Sequence, residues 1–422
     1  MRLRETKQWI WYLLPSQVAT QGLSTVIPLY VIFLGGGIGE VAMITAIQNG
    51  AVAVGSIFWG KVIDRFHARR SILLLSFLVV LLCSIGMYFT NSIVVLYEIV
   101  PILGFFMVGK NPVTQLLVME SVQKNMWSWL FARTSIIGTL GMLVAMVIGT
   151  VGSLYFDLRP YFLICAASSV AAMVLSTSIK GTGFHLERSS IAHSLHGLQY
   201  AISHYHFIFQ KIPELYDFKH MITIFKGKVS NEIGIFYFAS FFFYIGSTMY
   251  FTAWTPFLKS HDFSNSGVFL NYLVQIATML GIFFIAPKVI AKIGEERSTI
   301  VAYLPRVLGV IIPGVSVGLM VGATGFVLAI VSSCLMVIAF SIFSTSSSVI
   351  FFKSIPQGFE GKYLGVNSAI TGTGVFVGSL VTGELTKFFG YTTLFLSSSS
   401  ILVCSLILFL IYFRYRLSNK IV

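Results

Sequence analysis

The sequence predicts an all-α polytopic membrane protein, with about twelve transmembrane helices in two six-helix bundles. Three observations predict it. First, the 422 residues hold only 28 Lys+Arg and 15 Asp+Glu, so 10% are charged while 56% are hydrophobic. A soluble domain carries about 25% charged residues, so this chain lacks the charge to cover a water-facing surface. That composition excludes a soluble enzyme, a nucleic-acid-binding domain and a disordered chain. Second, apolar runs recur at the length of about 20 residues that a span needs. Third, one long polar connection, from Lys180 to Ser230, divides those runs into equal halves.

The first span reads 9–34. Arg2, Arg4 and Lys7 precede it, and its length exceeds the apolar core of a cleavable signal. The next five read 41–62, 71–90, 93–117, 128–155 and 160–178. After the long connection come 233–257, 267–290, 299–320, 324–352, 363–387 and 391–413. Short connections carry Gly, Asn or Pro, as in Gly35-Gly36-Gly37, Asn91, Arg159-Pro160, Gly322 to Gly325 and Phe389-Gly390, which punctuate helices. The expected organisation is a bundle over 1–179, a cytoplasmic linker over 180–231 and a second bundle over 232–422.

Within the linker, Ile191, Leu195, Leu198, Ile202 and Phe209 recur at helical spacing, which predicts an amphipathic helix at the membrane surface. Six of the eight histidines fall there: His185, His193, His196, His204, His206 and His220. No acidic or Cys ligand recurs with them, so a solvated linker is expected and no metal site. Cys83, Cys165, Cys334 and Cys404 all lie in apolar runs and read as small core residues. Lys and Arg concentrate on one side of the alternating spans. The bias places both termini and the linker in the cytoplasm of a plasma-membrane protein. It also explains the net charge of +13 without nucleic acid, since basic edges meet anionic head groups.

One loop carries more. Between the second and third spans the chain reads Gly60-Lys61-Val62-Ile63-Asp64-Arg65-Phe66-His67-Ala68-Arg69-Arg70. A Gly there lets helices approach closely, an Asp accepts from a helix N-terminus, and arginines pair with a carboxylate. The stretch resembles the signature loop of the major facilitator superfamily, Gly-x-x-x-Asp-Arg-x-Gly-Arg-Arg. His67-Ala68 stand where that pattern has Gly, and the loop is one residue longer. Ile27-Pro28-Leu29-Tyr30 with Leu34-Gly35 resembles the end of the family's first span. Pro287 to Arg297 resembles a second copy of the loop, with Ala291 in the place of Asp64. Gly361-Lys362-Tyr363-Leu364-Gly365-Val366-Asn367, with Gly374, Gly378 and Gly383, resembles the eleventh span and its start.

The resemblance implies inverted repeats within each bundle and a central cavity lined by spans one, four, seven and ten. It implies a cytoplasmic latch built from Gly60, Asp64, Arg65, Arg69, Arg70, Glu120 and Arg133. Asp64 would face Lys362, and Arg65 would reach Glu120, with Arg133 as a second partner. An ordinary juxtamembrane charge cluster is the other reading.

Ionisable residues inside spans are functional candidates by default. Lys110, in Gly109-Lys110-Asn111-Pro112, either neutralises an anionic solute or snorkels to the cytoplasmic face. Glu98, near the outer end of span four, either carries a coupling proton or is a solvated rim carboxylate. Arg306 lies in span nine, which is peripheral in the family, so snorkelling or packing is expected. Gln17 and Gln21 share a face of span one and suit either a solute or a neighbouring helix. Tyr237, Tyr244 and Trp254 in span seven form either an aromatic wall or core.

The function expected is secondary active transport of a small molecule by alternating access. Proton-linked export of an organic or amphipathic solute comes first, and uptake or exchange of an organic anion is the alternative. A non-transporting membrane sensor on the same fold is the remote one. The glycines at Gly141 and Gly149 without a Gly-Pro pair weaken the antiport reading. No Gly-x-x-x-x-Gly-Lys-Ser/Thr loop exists for ATP, and no span pairs a nucleophile with His or an acid, so an enzyme is not expected. No cofactor is expected either; a proton or ion gradient would drive the cycle. The partners are the solute and the bilayer, with no nucleic acid, and the chain is expected to be a monomer.

Overall fold

The computed structural model describes residues 9–66, 69–122, 127–179, 231–354 and 360–421. Of a few helical residues in these ranges, including Asp64, Arg65, Glu232 and Lys362, only the backbone is described. The amphipathic linker helix and its histidines lie outside the described residues.

After a 3-10 turn at Trp9–Tyr12 come α1 (Leu13–Phe33), α2 (Ile38–Phe66), α3 (Arg69–Phe89) and α4 (Ile93–Met107). Next are α5 (Lys110–Ser121), α6 (Trp127–Tyr155) and α7 (Arg159–Ser176). Beyond the linker lie α8 (Asn231–Ser260), α9 (Asn265–Ile293), α10 (Glu295–Val315), α11 (Gly322–Ser354) and α12 (Glu360–Ile421). Among the described residues there is no strand.

Among the described residues, ten segments are long and apolar enough to cross a membrane. The last of them, Val366–Arg416, is 51 residues long, about twice a span at roughly 1.5 Å per residue. It is divided at Gly390, whose φ of 78° and ψ of 175° only glycine tolerates well. The eleventh and twelfth spans expected from sequence therefore meet at a glycine kink inside α12. α1 falls outside the ten because Ser16, Gln17, Thr20, Gln21, Ser24 and Thr25 lower its hydropathy. Its 21 residues still match the hydrocarbon thickness of about 30 Å.

Span four is not the single helix expected. α4 ends at Met107 and α5 begins at Lys110. Pro112 has no N–H for the Val108 carbonyl, which instead accepts from Asn111 N at 3.0 Å in a tighter turn.

Inside lipid, packing and interhelical hydrogen bonds hold helices together, because lipid is as apolar as the core. Ser169 Oγ donates to the Phe77 carbonyl at 2.6 Å, which ties α7 to α3. Ser398 Oγ donates to the Gly246 carbonyl at 2.7 Å and Ser405 Oγ to that of Ala239 at 2.6 Å, which fixes α12 along α8. Phe243 stacks on Phe343 with centroids 3.6 Å apart, joining α8 to α11.

α1 to α7 pack mainly on one another, as do α8 to α12, and the two sets meet through α2 on α12 and α6 on α9. Ser266 Oγ donates to the Thr150 carbonyl at 2.9 Å, and Phe269 lies against Gly149. Deeper in, Asn49 Nδ2 donates to Ser379 Oγ at 3.0 Å. We call the end bearing Trp9 and the α2–α3 and α9–α10 turns the near end, and that bearing Gly149 and Ser266 the far end.

Candidate functional site

The near end holds the latch candidates. α2 stays helical through Phe66, so Asp64 and Arg65 belong to its last turn. Their side chains and that of Lys362 lie outside the described residues, as does any Asp64–Lys362 contact. Glu120 is held by Arg69, with Nη1 on Oε2 and Nη2 on Oε1. The sequence reading assigns Arg65 to this carboxylate, with Arg133 as a second partner, and gives Arg69 none; the bridge seen among the described side chains is that of Arg69, and the Arg65 side chain lies outside them. Arg70 is exposed, and Arg133 is half-buried. Gly60 shows no close packing among the described residues: none of their atoms lies within 4 Å of where its Cβ would be. The close approach of α2 to span four occurs at Gly55 and Gly104, where an added Cβ would meet the Phe105 carbonyl at 2.7 Å and the Gln48 carbonyl at 2.8 Å.

In the second set, the α9–α10 turn carries the matching bridges. Lys353 Nζ pairs with Glu295 Oε1, and Arg416 Nη1 lies 3.6 Å from Glu296 Oε1.

Deeper in the first set, Lys110 is 6% exposed. Its Nζ donates to Thr20 Oγ1 at 2.9 Å. Thr20 in turn reaches the Ser16 carbonyl at 2.9 Å and Gln17 Oε1 at 3.1 Å. Thr114 Oγ1 donates to the Lys110 carbonyl at 2.7 Å and shares a 2.7 Å hydrogen bond with the Tyr12 hydroxyl. Lys110 does not snorkel; it turns toward α1 and leaves its ammonium on a neutral oxygen. Gln17 and Gln21 are both half-buried. Glu98 is exposed on the surface of α4.

Arg306 is fully buried, with 0% exposure, so of the two roles expected it packs and does not snorkel. Its guanidinium carbon lies 5.1 Å from the Phe243 ring centre, 5.4 Å from that of Phe251 and 5.9 Å from that of Phe340. Nη1 donates to the Met336 carbonyl at 2.6 Å. α10 thus sends Arg306 between α8 and α11. Sequence reasoning missed this because the three rings come from distant stretches of chain.

Of the two roles open to the span-seven aromatics, core packing is the main one. Tyr237 and Trp254 are fully buried. Trp254 Nε1 donates to Asn271 Oδ1 at 3.0 Å, and its ring stacks on Tyr250. Tyr244 alone of the three is half-buried.

Taken together, the spans bury two cations, Lys110 and Arg306, and no acid among the described residues. The sequence profile of the Major Facilitator Superfamily matches residues 12–312. The chain belongs to the Major Facilitator Superfamily. Solved structures that share this fold include a mutant form of the nucleoside transporter NupG, with 14% identity, TM-score 0.76, and coverage of 97% of this chain and 100% of that one. A POT family transporter in complex with 5-aminolevulinic acid gives 14% identity, TM-score 0.75, and coverage of 97% and 96%. A mutant of the peptide transporter POT in complex with sulfate gives 12% identity, TM-score 0.73, and coverage of 97% and 94%. No curated protein sequence matches the chain. At such identities the likeness concerns the fold, and this superfamily member is a multi-pass membrane protein of the transporter class.

Proposed function

We propose that the protein is a secondary transporter of a small organic anion, working by uptake or exchange through alternating access, with its near end in the cytoplasm. One observation carries the reading: the charged side chains that the described residues bury inside spans are Lys110 and Arg306, and neither has a carboxylate partner among those residues. A buried charge without a counter-charge costs several kcal/mol, and such residues mark solute paths. An anionic solute would supply the missing charge in passing. The break in span four supports this reading, because it sets the N-terminus of α5 at Lys110. Broken helices place such positive ends toward anionic solutes.

Proton-linked export, the first expectation from sequence, has less support here. Glu98, the carboxylate that reading relied on, is exposed and not buried in the bundle.

The test is thermal stabilisation of the purified protein by a panel of anionic, cationic and neutral solutes. Anions should raise the melting temperature, and Lys110→Ala should weaken that effect at least tenfold in apparent affinity. Equal affinity of wild type and Lys110→Ala for every stabilising anion would remove the reading.

A further inference from the structure

Arg306 uses only part of its hydrogen-bonding capacity. Nη1 is taken by the Met336 carbonyl at 2.6 Å, whereas Nε and Nη2 are buried and meet no acceptor among the described residues. Those two nitrogens are not an arbitrary pair. They lie on one side of the planar guanidinium, with parallel N–H bonds, and form the edge that takes both oxygens of a carboxylate. Three phenylalanine rings surround the cation. They attract its charge but accept no in-plane N–H bond. A further polar atom is close by on helical geometry. Ser247 lies four residues from both Phe243 and Phe251, hence on the face of α8 that meets Arg306. Its Oγ is also buried without a partner among the described residues. α8 borders the other set, touching α1 and α2. Tyr244, half-buried, lies on the same helix, next to Phe243.

We propose that the Nε/Nη2 edge of Arg306 is a carboxylate subsite for the solute, with Phe243, Phe251 and Phe340 as the wall for an apolar body. The inference deepens the anion reading above and rests on it. It names the solute class: a monocarboxylate with an aromatic or aliphatic body, bound bidentately from the second set.

The experiment measures melting temperature against concentration of benzoate, phenylacetate, acetate, chloride, sulfate and the neutral benzamide. It compares wild type, Arg306→Lys, Ser247→Asp and Lys110→Ala. Arg306→Lys keeps the charge and loses the fork. Ser247→Asp supplies an internal carboxylate to the same edge, so the unliganded protein should melt no lower than wild type even if Arg306→Lys folds poorly. The expected result is stabilisation by benzoate and not benzamide, with apparent affinity at least tenfold weaker in Arg306→Lys and in Ser247→Asp. If benzoate binds both variants as it binds wild type while Lys110→Ala loses it, the subsite is overturned and the anion reading stands. Stabilisation of wild type by chloride or sulfate and by no carboxylate overturns the subsite alone. If no anion stabilises wild type, the anion reading falls and the subsite with it.

Discussion

Arg69 grips Glu120 with both terminal guanidinium nitrogens, tying the start of α3 to the end of α5. The second set repeats the tie with its polarity reversed. There the acid, Glu295, starts the third span and the base, Lys353, ends the fourth. The same two places are therefore joined electrostatically in each set, and neither tie depends on which partner carries which sign.

The first tie should tolerate reversal. Arg69→Glu and Glu120→Arg should each lower the melting temperature, and the double variant should recover most of the loss. The Arg69 side chain is 13% exposed and that of Glu120 42%, so screening by water limits the pair to about 1 kcal/mol. A double-mutant cycle by thermal unfolding measures it. Additive losses with no recovery would show that the pair contributes nothing.

The second tie should be weaker. The Lys353 side chain is 54% exposed and that of Glu295 26%, and exposed ion pairs are screened by salt. Lys353→Glu puts a like charge beside Glu295, with Glu296 the next residue along the chain. It should destabilise at low salt and much less at high salt. Melting curves across ionic strength check this, and a salt-independent effect would point to packing instead.

Much of the fold was legible from sequence and rather less of the site, for reasons that differ residue by residue. Span positions follow from local apolar runs, so most helices fall close to their expected ranges, with span four split in two and spans eleven and twelve joined in α12. The break at Lys110 was written in Asn111-Pro112, but the apolar run continues across it and masked the signal. The Arg69–Glu120 pair joins residues far apart in the chain, so only a family pattern suggested a partner for Glu120, and the pattern named Arg65, whose side chain lies outside the described residues, and Arg133, without Arg69. The Arg306 cage was invisible because Phe243, Phe251 and Phe340 reach it from two other helices. Span order alone made that residue peripheral.

Lys110 should trade stability for function. Its ammonium has one hydroxyl partner and no carboxylate among the described residues. Lys110→Met keeps the apolar stem and removes the buried charge, so it should raise the melting temperature while abolishing anion stabilisation. Thr20→Val removes the hydroxyl on the ammonium and should cost about 1–3 kcal/mol. Thermal unfolding of both variants without solute decides it: a loss of stability in Lys110→Met would mean the ammonium is better satisfied than its single hydrogen bond indicates.

The far end should be sensitive to a single methyl group. Gly149 on α6 faces the Phe269 ring of α9 so closely that an added Cβ would sit 2.3 Å from the ring. Phe269 is 1% exposed and also packs on Tyr161, with ring centroids 5.1 Å apart, so it cannot simply swing away. Gly149→Ala should therefore push α6 and α9 apart and cost about 1–3 kcal/mol by overpacking. Phe269→Ala alone leaves a cavity and should cost about 3–5 kcal/mol. The two changes relieve each other, since the methyl enters the space the ring leaves. The double variant should be less destabilised than the two losses added together. Melting temperatures of the four proteins test this contact between the sets, and strict additivity would mean that Gly149 and Phe269 do not meet.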